Sequence, residues 1–225
     1  MSSITSIDKK VLKGQLYKIK ETQTVTITEK DENVNQRVRI HFKISDKKNF
    51  ALYGEEWKSQ YAPDSNIKKP DILAIYFDDK KNISEKVQAY ILDLKKDVGG
   101  DEVITHLIEQ WNDGYKHCNA ITQYYHNVKI KFGVICDNFD RERIEKSLSD
   151  KRRELQEISS HKEKLMSYKL GQIEQKNTKM IKILSDFLDN IFMLEQNEEY
   201  CKFKVYMTVY DEECDIHEFD ISLPE

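Results

Sequence analysis

The residues of this chain whose types and spacing could do chemistry are Asp71, Asp93 and Lys95. Asp71 stands just before the apolar run Ile72 to Phe77. Asp93 falls near the end of a second such run, Val87 to Leu94, with Lys95 close behind it. The polar tract Asp78 to Asn82 separates the runs, which predicts a hairpin. Both aspartates are equidistant from Asn82, so a turn centred there sets them directly across from each other. Cross-strand neighbours lie about 4.5–5.5 Å apart, close enough for two carboxylates to share a divalent ion with oxygen bonds of about 2.1 Å. Lys95, two residues beyond Asp93, projects from the same face. Hard oxygens without histidine or cysteine favour Mg²⁺ or Mn²⁺ over zinc. Beside such a pair an ammonium can position or deprotonate a water and stabilise developing charge, so the trio suits hydrolysis of a phosphodiester.

The surrounding elements must hold these groups. The two runs are apolar on both faces, the mark of strands in the middle of a covered sheet, and a carboxylate in such a strand is costly unless paired or bound to something positive. Gly99 and Gly100 allow a reversal and Asp101 is a good N-cap. From there Val103, Ile104, Leu107, Ile108, Trp111, Tyr115 and Cys118 predict one amphipathic helix to about Tyr125, with His106, Gln110, Asp113 and His117 on its other face. His106 and His117 sit three turns apart and cannot ligate one metal together, so both read as surface residues. Lys129 to Ile135 predicts the next strand. Strand, strand, helix, strand is an α/β pattern.

At these positions the sequence resembles the PD-(D/E)xK nuclease superfamily. Pro70-Asp71 matches its PD element and Asp93-Leu94-Lys95 its (D/E)xK element. The resemblance spans roughly residues 50–136 and implies a restriction-endonuclease-like core, a mixed β-sheet flanked by helices. It also implies that Asp71 and Asp93 are metal ligands, the Leu94 carbonyl a further ligand, Lys95 the catalytic lysine, and Mg²⁺ or Mn²⁺ the cofactor. The superfamily often adds a glutamate from a helix before the PD strand, for which Glu55 and Glu56 are both candidates. Some members carry a glutamine on the following helix, here Gln110.

Elsewhere the chain carries no competing site. Residues 7–20 have apolar positions at helical spacing and predict an N-terminal helix. Thr22 to Thr28 and Arg37 to Ile44 both alternate and predict a hairpin with a longish loop. Its second strand puts Arg37, Arg39, His41 and Lys43 on one face. That face could touch phosphates, with Arg37, Arg39 and Lys43 as the nucleic-acid contacts, although a solvated sheet face looks the same. Residues 139–199 lack proline and read as a long helix or helical hairpin, the first half like a coiled-coil arm and the second fat enough to dock on a core. Lys202 to Tyr210 and His217 to Leu223 alternate around an acidic turn and predict a C-terminal β-hairpin. The organisation expected is therefore an α/β core with N-terminal helix and hairpin (1–137), a helical arm (138–199) and a terminal hairpin (200–225).

The 225 residues suffice for one sizeable core with an appendage. Hydrophobic residues make up 39% and charged residues 34%, which excludes global disorder, and the net charge of −4 gives no bulk attraction to nucleic acid. Cys118, Cys136, Cys201 and Cys214 are scattered without metal-finger spacing and read as reduced thiols. No run approaches a membrane span and the N-terminus lacks a secretory apolar core, so a soluble, cytoplasmic chain is expected. Phosphate-binding, dinucleotide and serine-hydrolase motifs are missing. Two functions fit. One is a metal-dependent nuclease, on DNA rather than RNA, for which a restriction or defence role rests on family analogy. The other is a non-catalytic interaction protein that uses the arm (residues 140–198) to form a homodimer or dock to a larger complex.

Overall fold

The computed structural model describes residues 16–18, 23–31, 34–44, 49–53, 70–77, 86–122, 127–161, 168–211 and 216–223. The hairpin expected at the centre of the chain is β5 (Ile72–Phe77) and β6 (Lys86–Val98), antiparallel. It continues into helix α1 (Asp101–Thr122) and then β7 (Asn127–Phe139), which lies parallel to β6. Helices α2 (Arg141–His161) and α3 (Tyr168–Leu188) follow, then β8 (Ile191–Leu194) and β9 (Glu199–Met207). Together with β1 (Leu16–Lys18) and β4 (Asn49–Tyr53) these strands form a seven-stranded sheet in the order β1-β4-β5-β6-β7-β9-β8. β6, β7 and β9 run parallel and the other neighbours antiparallel, so the sheet is mixed and the fold is α/β.

A second sheet has the order β10-β11-β3-β2. Strands β2 (Gln23–Asp31) and β3 (Val34–Ile44) form the expected N-terminal hairpin. Its strands run on through the polar tract between them, which makes the connection shorter than the sequence suggests. The C-terminal hairpin is β10 (Val209–Asp211) with β11 (Ile216–Leu223). Its first arm is short because Glu199–Met207, which alternates just as well, joins the main sheet beside β7. Alternation fixes which face a strand buries, not which partner it takes.

Two helical expectations are corrected. Leu16–Lys18 is a strand paired with β4, and residues 7–15 lie outside the described residues. The stretch 189–199 is not helical. Asn190 takes a left-handed conformation (φ 56°) after α3, its N–H bonding back to the Phe187 carbonyl, and the chain turns into the edge strand β8. Asparagine is among the few residues that tolerate this cap geometry. Helix α2 does end at His161, and both helices send apolar residues into the main core: Ile144 and Leu148 from α2, Leu184 and Phe187 from α3.

That core lies on one face of the sheet and centres on Trp111 of α1. Its ring meets Phe192 and Phe203 at centroid distances of 4.9 Å and Phe187 at 6.3 Å. Burying a large apolar side chain contributes about 1.5–3 kcal/mol. α1 is therefore held between the sheet and α3. Two polar side chains fix it further: Asn112 Oδ1 accepts from the Glu195 N–H at 2.8 Å, and the Tyr115 hydroxyl accepts from Asn197 Nδ2 at 2.8 Å. The strand residues on the other face are buried as well, including Ile72, Ala74, Leu92 and Ile135, as expected for strands apolar on both sides.

Candidate active site

The β5–β6 ladder pairs Ile72 with Leu92 and Phe77 with Val87, which puts its centre at Asn82. Continued by one position, the same register sets Asp71 opposite Asp93. Their common face is the one that carries Leu73 and Ile91 into the core beneath α1. Both aspartates are buried, Asp93 completely.

The proline before Asp71 has a local consequence. In the continued register Pro70 stands opposite Leu94, and proline offers no N–H to the Leu94 carbonyl. The Leu94 N–H is taken by the Asp71 side chain, whose Oδ2 accepts it at 2.6 Å. The Leu94 carbonyl accepts from Lys95 Nζ at 3.0 Å, and the same ammonium is 3.8 Å from Asp71 Oδ2. The Asp71 carboxylate, a main-chain carbonyl and a lysine thus meet where β5 begins, with Asp93 opposite Asp71 in the continued register.

Burial raises the Asp71 pKa above its ordinary value of 3.8, against the downward pull of the Lys95 ammonium, the Leu94 N–H and His106. His106 is exposed, as expected, and acts on Asp71 through space from the surface of α1. His106, Gln110 and Gly114 recur every four positions along α1 and so share one stripe of the helix. At Gly114 a Cβ would come within 2.7 Å of Ile91 Cγ2 and 3.0 Å of Pro70 Cγ. The glycine lets the helix approach the hairpin next to Asp71. Gln110 and His117, expected on the outer face, are both buried because α1 is covered by the sheet on one side and by α3 on another. The i, i+4 stripe was the available signal, but it is legible only once Gly114 is known to touch Pro70.

Asp101 also differs from expectation. The first helical bond of α1 runs from the Ile104 N–H to the Gly100 carbonyl, and the Asp101 carboxylate accepts from the Ser147 hydroxyl of α2. Gly100 is therefore the cap, and Asp101 ties two helices together. Glu55 and Glu56 lie outside the described residues. Arg37, Arg39 and Lys43 belong to β3, far along the chain from the trio, and the register places Arg39 beside Glu218 and Lys43 beside Ser222 of β11.

The donor set suits a hard divalent cation. Among the described residues no three His, Cys, Asp or Glu side chains gather as a metal-binding group, so the set consists of the aspartate pair and the Leu94 carbonyl. The Lys95 ammonium already sits against Asp71 Oδ2 and that carbonyl, and this spot therefore accepts positive charge. His106 also lines a cleft of about 390 Å³ with Glu109, Lys151 and Lys176, but none of the trio lines it. Cys118, Cys136 and Cys201 are free, and burial pushes Cys118 and Cys136 up to about 12.

Comparison with protein-family models, curated proteins and solved structures finds no match. The reading of the site rests on its residues and their geometry. No described helix is long and apolar enough to cross a membrane.

Proposed function

We propose that the chain hydrolyses phosphodiester bonds of nucleic acid, DNA rather than RNA, with the help of Mg²⁺ or Mn²⁺. The observation that supports this most is the β5–β6 register, which, continued by one position, sets two buried aspartates opposite each other, with the Leu94 carbonyl and the Lys95 ammonium beside Asp71. Burying carboxylates is costly unless they are paired or bound to something positive, and Asp71 already lies against the Lys95 ammonium and the Leu94 N–H.

In this reading Asp71 and Asp93 hold the metal through their carboxylates, and Leu94 contributes its carbonyl. When bound, the ion supplies charge neutralisation at the scissile phosphate and acidifies water. Lys95 orients the attacking water and stabilises the negative charge that builds on the phosphoryl oxygens. His106 and Gln110 flank the trio from α1 as positioning residues. The Leu94 N–H fixes the orientation of the Asp71 carboxylate, which removes the need to reorganise it during the reaction.

The test is cleavage of plasmid and linear DNA, and of RNA, by the purified chain with Mg²⁺, with Mn²⁺ and with EDTA. Metal-dependent cleavage that falls at least about a hundredfold in Lys95→Ala, as for loss of an electrostatic stabiliser, is expected. No cleavage of any substrate with either metal would contradict the proposal and leave the trio a structural role.

A further inference from the structure

Two of the oxygen donors assigned to the divalent ion already carry a cation of the chain's own. Lys95 Nζ donates to the Leu94 carbonyl at 3.0 Å and lies 3.8 Å from Asp71 Oδ2. To reach the carbonyl of the residue just before it, the lysine folds its stem back over β6 instead of running out to solvent. Its side chain is accordingly only 16% exposed. The backbone beneath it is held in the ladder beside Cys136 of β7, so any movement of the ammonium belongs to the flexible stem.

This arrangement offsets the cost of burying Asp71, whose carboxylate is compensated by the ammonium and by the Leu94 N–H. It also stands in the way of a metal. A divalent ion bonds oxygen at about 2.1 Å, on lone pairs that the ammonium covers, and two cations drawn to the same oxygens repel each other. Lysine is suited to give way, being a strongly hydrated point charge on a rotatable stem. The next residue provides a contrast. Lys96 carries the same charge but points to the opposite face of β6 and is exposed.

We propose that Lys95 is a placeholder cation, which holds the Asp71 and Leu94 oxygens until a divalent ion displaces it and is thereby released toward solvent and substrate. Given the metal site proposed above, on which this rests, Lys95 sets how tightly the ion is held as well as acting on the reacting water.

The test is calorimetric titration with Mn²⁺ at about pH 8, where protons compete least for carboxylate ligands, on the wild-type chain, Lys95→Met and Lys96→Gln. Lys95→Met keeps most of the stem and removes the charge. Its Mn²⁺ affinity should rise about tenfold or more, the scale on which groups around a metal's ligands act. Lys96→Gln loses the same formal charge away from the oxygens and should change the affinity by less than about twofold, as for a screened surface charge. In EDTA Lys95→Met should melt below wild type, and the same Mn²⁺ concentration should raise its melting temperature by more. A second readout needs no variant. Brief acylation of wild type followed by mass spectrometry should label Lys95 faster with saturating Mn²⁺ than in EDTA, with Lys96 labelled equally in both. Equal Mn²⁺ affinity in wild type and Lys95→Met, an equal gain in Lys96→Gln, or Lys95 labelling that bound Mn²⁺ leaves unchanged overturns the placeholder and leaves the metal site standing. No Mn²⁺ binding by either wild type or Lys95→Met removes the metal site itself, and the placeholder with it.

Discussion

Strands β6 and β7 run side by side in register and face the same helix, yet they spend that face differently. β7 presents Phe132, Val134 and Cys136 to the core. β6 starts the same way with Val87, Ala89 and Ile91 and then switches to Asp93 and Lys95, which stand beside Val134 and Cys136. The β5–β6 ladder ends at Ile72–Leu92, just before the switch, while the pairing with β7 continues past it. The β7 residues are set by packing, where size and shape decide. After Ile91 the apolar run of β6 gives way to a buried carboxylate and an ammonium, the feature on which the proposed function rests.

Breaking the packed side of this comparison should have the largest effect. Trp111→Ala removes the ring that meets four phenylalanines, Phe132, Phe187, Phe192 and Phe203. A loss of about 3–5 kcal/mol in unfolding free energy is expected from chemical denaturation.

Gly114→Ala probes the seam between the two regions. Overpacking against Ile91 and Pro70 costs about 1–3 kcal/mol, and the better helix propensity of alanine returns about 1 kcal/mol. A net destabilisation of no more than about 2 kcal/mol is expected in a thermal melt. Because Pro70 carries Asp71, any hydrolytic activity should fall by more than the loss of folded protein explains.

Asp71→Asn tests the charged side through pH. Burial raises the native pKa of Asp71 above 3.8, so the folded chain holds that proton to higher pH than the unfolded one. The stabilising contribution of the group is fully present below 3.8 and is lost as pH rises through the raised native value. The melting temperature of wild type relative to Asp71→Asn should therefore drop with rising pH across that window. A difference flat in pH would mean that Asp71 is not held in a dehydrated site.

The hairpin was legible because two apolar runs flank a polar tract, and symmetry about Asn82 fixed the register before any coordinate. α1 was legible from the spacing of Ile104, Leu107, Trp111 and Cys118. Less visible were pairings made over long sequence distances. β9 lying parallel to β7 and β11 parallel to β3 leave no local mark, since alternation names a face and not a neighbour. Strand β8 was hidden because Ile191 and Leu194 continue the helical spacing of α3 until Asn190 is seen in its left-handed turn. In the site, Asp71, Asp93 and Lys95 could be read from spacing. The roles of Pro70 and Gly114 could not, since each depends on a close approach between separate elements.

The central claim is that Asp71 and Asp93 form one metal site, and the most direct measurement is calorimetric titration of the purified chain with Mn²⁺ at neutral pH. One ion per chain is expected for wild type, with binding lost in Asp93→Asn and a melting temperature that rises with metal concentration by mass action in wild type alone. No binding to wild type, or equal binding by Asp93→Asn, would contradict a shared site.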